Sequence, residues 1–358
     1  MKKVDKTKFM STWPQIYWAI ACGDLLLIES SINDVGGVEG LCSPYNLDGI
    51  STLWVAAWFD QPAAVDLLLA SGITLDPRAL AVAVLRSADV LSKLREAGAT
   101  IYDKDSQNNK PFLSTAAKRG NLAIARLLLS WHPDMVYMQG GLGQTALHAA
   151  ASSGHLEICR LLLEYDPDGG KVSQCDGWKA IHFAAKAGHR AVVELLLERC
   201  PGCVLSKTNF GHLALHVAAE ADHEPIVGLL LSHDVAGASL TVRDRSGFTP
   251  LHHAVKTRNQ RIVALLLSRN PETVNIYNNH LELPIDLAAL DGNESMIYLL
   301  IRSGADMKIP NKAGITAAKF LHDYKIKYGL STAGTQTKSD HKASCNTESQ
   351  MTRTLPKD

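Results

Sequence analysis

The chain has 358 residues, of which 46% are hydrophobic and 20% are charged, and its 36 Lys and Arg residues balance its 36 Asp and Glu residues. This composition excludes a largely disordered chain, because such chains combine low hydrophobicity with high net charge. A formal net charge of zero also argues against a general nucleic-acid binder, which carries a strongly basic surface. We therefore expect a folded protein whose partners are not nucleic acids.

The sequence indicates neither membrane insertion nor export. No apolar run approaches the roughly 18 residues that a transmembrane helix needs. The first residues carry lysines but no uninterrupted apolar segment before a small-residue cleavage site, as a secretion signal would. The seven cysteines are an odd number and thinly spread, which favours a reducing compartment over a disulfide framework. We predict a cytoplasmic protein with no membrane insertion.

A repeated unit fills most of the chain between two polar tails. Residues 1–10 are predicted to form a loose basic tail, because they carry four lysines against one aspartate. Weak copies of the unit start near residues 14, 51, 77 and 111, clear copies start at 145, 179, 213 and 249, and weak copies follow near 283 and 316. We predict a repeat domain of about ten units at 11–328 and a disordered tail, rich in Ser, Thr and Lys, at 329–358.

The four clear copies are spaced 34, 34 and 36 residues apart and read TALHAAASSGH, KAIHFAAKAGH, LALHVAAEADH and TPLHHAVKTRN. Each copy is followed by an aliphatic triplet, such as Leu161 to Leu163. This pattern resembles the ankyrin repeat, whose period is about 33 residues and whose signature is T-P-L-H-x-A. The resemblance implies an all-α solenoid of stacked helix-turn-helix units joined by hairpin-like loops.

Three kinds of residue recur at fixed positions in these copies. Thr145 stands where an N-cap oxygen would satisfy free N–H groups, and His148, three residues later, stands where a capping-box partner would lie. Glycine falls between the two apolar stripes, where it can end the first helix. We interpret these residues as structural and expect the histidines to tie neighbouring loops and helix starts together by hydrogen bonds. The set comprises Thr145, His148, Gly154, His182, Gly188, His216, Thr249 and His252.

The unit that starts at Pro77 departs from the repeat. It follows the start of the preceding unit after only 26 residues, so its connecting loop is expected to be short. It also lacks the inter-helix glycine and the capping pair. We predict a local irregularity in the stack at this unit.

No motif in the chain points to catalysis. The chain contains no G-x-x-x-x-G-K-S/T phosphate loop, no H-E-x-x-H and no G-x-S-x-G. Equivalent histidines on adjacent units are expected about 8–10 Å apart, too far to share a metal ion whose nitrogen ligands lie at about 2.0–2.1 Å. A solenoid of short hairpins also lacks an enclosed cavity. We therefore predict no enzyme, no cofactor and no metal site.

Cys200 and Cys203 leave one chemical alternative open. They lie in a C-x-x-C segment, a spacing that thiol redox proteins and metal sites use. The segment follows a predicted helix, at the end where the helix dipole disfavours a thiolate, and no second C-x-x-C completes a zinc site. A thiol redox or metal protein is therefore the less favoured alternative.

The resemblance also implies that a protein partner binds the face formed by the loop tips and the first helices. Large aromatic residues on that face are informative, because interface hot spots are enriched in Trp, Tyr and Arg. Trp178 and Phe248 each follow a loop-tip glycine, although each ring could instead fold back onto its own hairpin. The candidate partner-binding residues are Trp58, Phe59, Gln144, Trp178, Lys186, Phe210, His212, Phe248 and Lys256.

These observations predict a non-catalytic adaptor or scaffold that acts as a monomer and binds one or more proteins. A second reading within the binding class is a secreted bacterial-type effector that uses the array to bind a host protein in the host cytosol. Only the polar composition of 329–358 suggests the second reading.

Overall fold

The computed structural model describes residues 15–34, 51–99, 111–311 and 314–327. Within these ranges the chain forms nineteen α-helices and no β-strand, which confirms the predicted all-α fold. None of the helices described is both long enough and apolar enough to cross a lipid bilayer. The tails predicted at 1–10 and 329–358 lie outside the described residues, and the limits of the repeat domain stay a prediction.

The first eighteen helices come in pairs, the odd-numbered member of each pair is the first helix of a unit, and α19 is the first helix of the last described unit. They are α1 (Gln15–Cys22), α2 (Leu25–Asp34), α3 (Thr52–Trp58), α4 (Pro62–Ala70), α5 (Pro77–Arg86), α6 (Ala88–Glu96), α7 (Phe112–Arg119), α8 (Leu122–Trp131), α9 (Ala146–Ser153), α10 (Leu156–Tyr165), α11 (Ala180–Ala187), α12 (Arg190–Arg199), α13 (Ala214–Glu220), α14 (Glu224–His233), α15 (Pro250–Lys256), α16 (Gln260–Arg269), α17 (Pro284–Leu290), α18 (Glu294–Arg302) and α19 (Ala317–Lys327). Short 3-10 helices follow five of the second helices, at Pro133–Tyr137, Gly169–Lys171, Pro201–Leu205, Ala238–Leu240 and Pro271–Asn275.

The helices stack in two layers. Each first helix packs on the first helix of the next unit, from α1 to α19, and the second helices α2 to α18 stack in the same way beside them. Alanines such as Ala150 and Ala184 are fully buried and let the inner helices approach closely, while leucines such as Leu162 fill the space between the layers. Burial of one such leucine stabilises the fold by about 1.5–3 kcal/mol. The core is therefore a ribbon that each unit shares with its neighbours.

A histidine three residues after the N-cap holds the start of four first helices. The main-chain N–H of each N-cap residue donates to Nδ1 of that histidine at 3.1–3.2 Å, and the pairs are Thr145 and His148, Lys179 and His182, Leu213 and His216, and Thr249 and His252. In the two threonine units the hydroxyl oxygen also lies 2.8 Å from Nδ1. In the following unit Asp286 replaces the histidine, and its Oδ2 accepts from the N–H of Leu283 at 2.8 Å.

The other ring nitrogen of each histidine reaches the next unit. Nε2 of His148 donates to the carbonyl oxygen of Trp178 at 3.2 Å, and Nε2 of His182 donates to that of Ser206 at 2.9 Å. Because Nδ1 accepts and Nε2 donates, each ring is neutral and its tautomer is fixed. Burial lowers the pKa of His148 to about 4, so this ring stays neutral at physiological pH.

Gly154 and Gly188 end α9 and α11 with φ of +79° and +83°, in the left-handed region that favours glycine. A Cβ atom at Gly154 would lie 2.5 Å from Nδ1 of His189 in the next unit. At these two positions glycine is favoured both by the backbone conformation and by the ring that packs on it, whereas Asp222 and Arg258 adopt a left-handed φ at the equivalent positions of the next two units.

The unit at Pro77 is irregular because α5 and α6 meet at a single residue. Ser87 is extended, ends α5, and accepts a hydrogen bond on Oγ from the N–H of Val90 at 3.2 Å, which caps α6. Asp76 caps α5 by accepting from the N–H of Arg78 at 2.9 Å. The unit lacks the threonine and histidine pair, as the sequence indicates, and Asp76 and Ser87 cap its two helices instead.

Candidate functional site

The loop tips before the later first helices are joined to one another by main-chain hydrogen bonds of 2.9–3.2 Å. The N–H donor and the carbonyl acceptor in successive tips are Cys175 and Leu142, Asn209 and Asp176, Arg245 and Phe210, and Asn279 and Ser246. This ladder joins the tips at 140–144, 174–178, 208–212, 244–248 and 278–282 into one surface beside the exposed sides of the first helices. We call that surface the inner face.

Trp178 and Phe248 occupy equivalent positions on the inner face, and both rings fold back onto their own first helix. The ring of Trp178 is half-buried, with its centroid 5.2 Å from that of Phe183. The ring of Phe248 is half-buried in the same way, 5.4 Å from the ring of His252. The rings therefore do not project freely from the tips, because an aromatic neighbour on the helix offers them an apolar contact.

Lys186 and Lys256 cover these two rings. The ammonium nitrogen of Lys186 lies 5.4 Å from the ring centroid of Trp178, and that of Lys256 lies 5.1 Å from the ring centroid of Phe248. Both distances are within the roughly 6 Å at which a cation and an aromatic face attract each other. Both lysines are exposed, so the inner face presents two aromatic–cation pairs that are two units apart.

Phe210, Gln144 and His212 complete the tip residues. Phe210 is 48% exposed, and the guanidinium carbon of Arg245 lies 5.7 Å from its ring centroid. Gln144 is half-buried, as is His212. Together with the two aromatic–cation pairs, these side chains form a row along the tips.

Trp58 and Phe59 lie apart from that row, at the end of α3. The ring of Trp58 stacks on Trp54 at 4.9 Å, and the guanidinium of Arg86 lies 4.2 Å above it. Both Trp58 and Phe59 are half-buried, and the stacked tryptophans form one end of a groove with a volume of about 1040 Å³. The groove runs along the inner face to the tip that holds Gln144, and its walls include Arg78, Phe112, Lys118, Leu142 and Phe183.

His212, Asp244 and His253 form a polar cluster that the sequence analysis missed. Nε2 of His212 lies 3.3 Å and Nε2 of His253 lies 3.0 Å from the same carboxylate oxygen, Oδ2 of Asp244. The prediction that histidines lie too far apart to share a metal ion considered equivalent positions on adjacent units. This cluster instead joins three non-equivalent positions. The signal that could have found it is an aspartate in the tip turn, flanked by histidines in both units.

Cys200 and Cys203 pair as a disulfide across the 3-10 helix that follows α12, with their Cα atoms 5.5 Å apart. This pairing differs from the expectation that the cysteines are reduced. The two residues are only 8% and 1% exposed, so neither sulfur is presented to a thiol substrate. Cys159 is a free buried cysteine, whereas Cys22 and Cys175 are free and exposed.

Comparisons with known proteins agree with this geometry. The family model described as ankyrin repeats (three copies) matches five overlapping stretches, at 80–171, 113–209, 167–244, 201–278 and 236–311. Among solved structures, the chain is similar to the ankyrin repeat domain of Bcl-3, described as a unique member of the IkappaB protein family. That match has a TM-score of 0.52 and 25% identity and covers 64% of this chain and 99% of the other. No curated protein sequence matches the chain.

Proposed function

Because the chain belongs to the ankyrin-repeat family, we propose that it is a non-catalytic recognition module, an adaptor or scaffold, that binds a protein partner on its inner face. The family match and the similarity to an ankyrin repeat domain support a role in protein–protein interaction. We propose further that the protein acts in the cytoplasm as a monomer.

The observation that carries this proposal is the pairing of Trp178 with Lys186 and of Phe248 with Lys256 on a surface that the tip hydrogen bonds connect. Each ring is already held by its own helix. A partner that packs on the ring therefore restricts little additional side-chain motion, and the entropy cost of binding is small. In the unit between those of the two lysines, the equivalent position is Glu220, which is exposed, so the sign of the charge alternates along the inner face. Alternating charge favours a specific protein partner over a polyanion.

The test is a capture experiment with charge-reversal variants of the full-length chain. We expect the double variant Lys186→Glu with Lys256→Glu to weaken capture of the specific partner by more than about 30-fold, which corresponds to a loss of about 2 kcal/mol. The matched control is Arg126→Glu with Arg190→Glu, because both arginines are exposed on the second helices, away from the inner face.

Quantitative mass spectrometry would compare the proteins that the three forms retain from a cell lysate. Proteins that the parent and the control retain but the inner-face variant loses are the predicted partners. If all three forms retained the same proteins to the same extent, the inner face would not be the binding surface. Urea unfolding of all three should agree within about 0.5 kcal/mol, since the changes are at exposed sites.

A further inference from the structure

His212, Asp244 and His253 bring three metal-ligating atoms together on the inner face. Nε2 of His212, Oδ2 of Asp244 and Nε2 of His253 all lie within 4.8 Å of one another. The side chain of Asp244 is 4% exposed and that of His253 is 10% exposed, whereas that of His212 is 24% exposed. The cluster is therefore held in the protein on two sides and open to solvent on the third.

The repeat architecture brings three positions together at every tip but does not require these residue types. The first position, that of His212, lies just before a first helix. The second, that of Asp244, lies in the turn of the tip that follows that unit, and the third, that of His253, is the fourth residue of the first helix after that tip. Elsewhere the corresponding triplets are Gln144, Gln174 and Phe183, then Trp178, Thr208 and Val217, and then Phe248, Asn278 and Leu287. Of these four triplets, only that of His212, Asp244 and His253 consists of three residue types that bind transition metals.

Two of the three separations in the cluster match those between zinc ligands. Zn²⁺ binds imidazole nitrogen and carboxylate oxygen at about 2.0–2.2 Å with tetrahedral geometry, which places neighbouring ligand atoms about 3.3 Å apart. The observed separations from Asp244 Oδ2 are 3.3 Å to His212 and 3.0 Å to His253. The three ligand atoms all lie within 4.8 Å of one another, so an ion that touches all three requires the two imidazoles to approach to about 3.3 Å.

Asp244 is oriented for this role by its own turn. Its second oxygen, Oδ1, accepts hydrogen bonds from the N–H groups of Ser246 at 2.8 Å and Phe248 at 2.9 Å. Oδ2 is thereby directed at the two imidazoles. Hydrogen bonds of this kind orient ligands and strengthen metal binding. His216 lies nearby, but its Nε2 is occupied by the carbonyl oxygens of Val242 and Phe248.

We propose that His212, Asp244 and His253 form a binding site for a divalent transition-metal ion, for which Zn²⁺ is the best match. Imidazole and carboxylate ligands suit Zn²⁺, and three protein ligands leave a fourth position open. Without the ion, the ionised carboxylate can only accept, so His253 donates to it from Nε2 at 3.0 Å, and Nε2 of His212 lies 3.3 Å from the same oxygen. Metal binding moves the Nε2 proton of His253 to Nδ1 and places the ion between Nε2 and the carboxylate oxygen that accepted its hydrogen bond. The open position faces the solvent side of His212, where water or a side chain of a bound protein can complete the coordination.

The experiment titrates Zn²⁺ into the metal-free full-length chain by calorimetry, and Co²⁺ absorption in the visible range reports the geometry. The first variant is Asp244→Asn. Asn278 holds the same turn position in the next tip and accepts from the N–H groups of His280 and Glu282 at 2.8 and 2.9 Å, so an asparagine keeps the turn intact. We expect one Zn²⁺ per chain for the parent and binding weaker by more than about 100-fold for the variant, because loss of outer hydrogen bonds alone costs 10- to 100-fold.

A second variant and a control complete the test. His253→Leu places at this position the residue type that Leu287 supplies in the next unit, and it should also lose the ion. The control His223→Asn removes a histidine elsewhere and supplies the N-cap residue found at Asn259, so it should bind like the parent. Zn²⁺ binding that survives both cluster variants would show that the ion is held elsewhere. A parent chain that binds no Zn²⁺ would show that the cluster is only a polar contact between three side chains.

Discussion

Nε2 of His182, a residue with no exposed surface, donates to the carbonyl oxygen of Ser206 at 2.9 Å, and its Nδ1 accepts from the N–H of Lys179. One ring thus fixes the start of its own helix and the loop of the next unit. Two main-chain groups lose their partner if the ring is removed.

We therefore expect His182→Ala to destabilise the chain by about 2–4 kcal/mol, because it leaves buried polar groups unsatisfied and opens a cavity. Urea unfolding of the full-length protein measures the effect. The control is His322→Ala, at an exposed position, which should stay within about 0.5 kcal/mol of the parent. A His182→Ala protein as stable as the control would show that the ring does not support the stack.

Stability should fall as the pH drops below about 6.5, the ordinary pKa of histidine in an unfolded chain. Burial holds the pKa of folded His148 at about 4, so between these values the unfolded chain binds more protons than the folded one. This histidine contributes a slope of up to about 1.4 kcal/mol per pH unit. The free energy of unfolding of His148→Asn should therefore depend less steeply on pH than that of the parent. Equal slopes would contradict a neutral buried ring.

Asp286 should show the opposite dependence. It is fully buried, its Oδ1 makes no hydrogen bond with the described residues, and burial raises its pKa to about 6. The charged form is therefore unfavourable in the folded state above pH 6, and this cost vanishes below the unfolded pKa of about 3.9. Asp286→Asn should stabilise the chain by up to about 3 kcal/mol at neutral pH and by nothing near the unfolded pKa. Asp323→Asn, at an exposed position, is the control, and a gain independent of pH would contradict the assignment.

Gly154→Ala tests the contact between the end of α9 and the ring of His189. The left-handed φ alone costs a residue with a side chain about 1–2 kcal/mol, and the new Cβ would also meet the ring. Gly141→Ala is a suitable control, since a Cβ there meets nothing within 4 Å. The double variant Gly154→Ala with His189→Ala should recover the steric part of the loss and keep the part due to φ. If the double variant were no more stable than Gly154→Ala in thermal or urea unfolding, the contact between the new Cβ and the ring would not be destabilising.

The sequence was sufficient for the features that repeat. The recurring histidines and glycines could be predicted from spacing, because each serves the same local need in the units that carry it. The caps Asp76 and Ser87 could not, since they occupy a unit whose residues do not align with the signature. The Trp178 ring is oriented by Phe183 and Lys186 beside it. Such side-chain packing depends on the folded helix, so the sequence pattern alone could not predict it. The cluster around Asp244 joins residues from two units and appears only when their tips are placed side by side.

The bonds that the four helix-capping histidines make with Nε2 all point the same way, from one unit to the unit that follows it in the chain. His155 and His223, which precede second helices, bond instead to the preceding unit, at the carbonyl oxygens of Lys118 and Lys186. Removing a unit from the beginning of the array exposes a carbonyl oxygen, which water can satisfy on the new surface. Removing the following unit takes the protein acceptor from a ring N–H and exposes to solvent a histidine ring that was buried. Each of these units therefore depends more on the unit that follows it than on the unit that precedes it. Shortening the array from the amino-terminal side should be tolerated at more positions than shortening it from the carboxyl-terminal side. Asp286, whose Oδ1 makes no hydrogen bond with any described residue, marks a natural place for a cut from the carboxyl-terminal side.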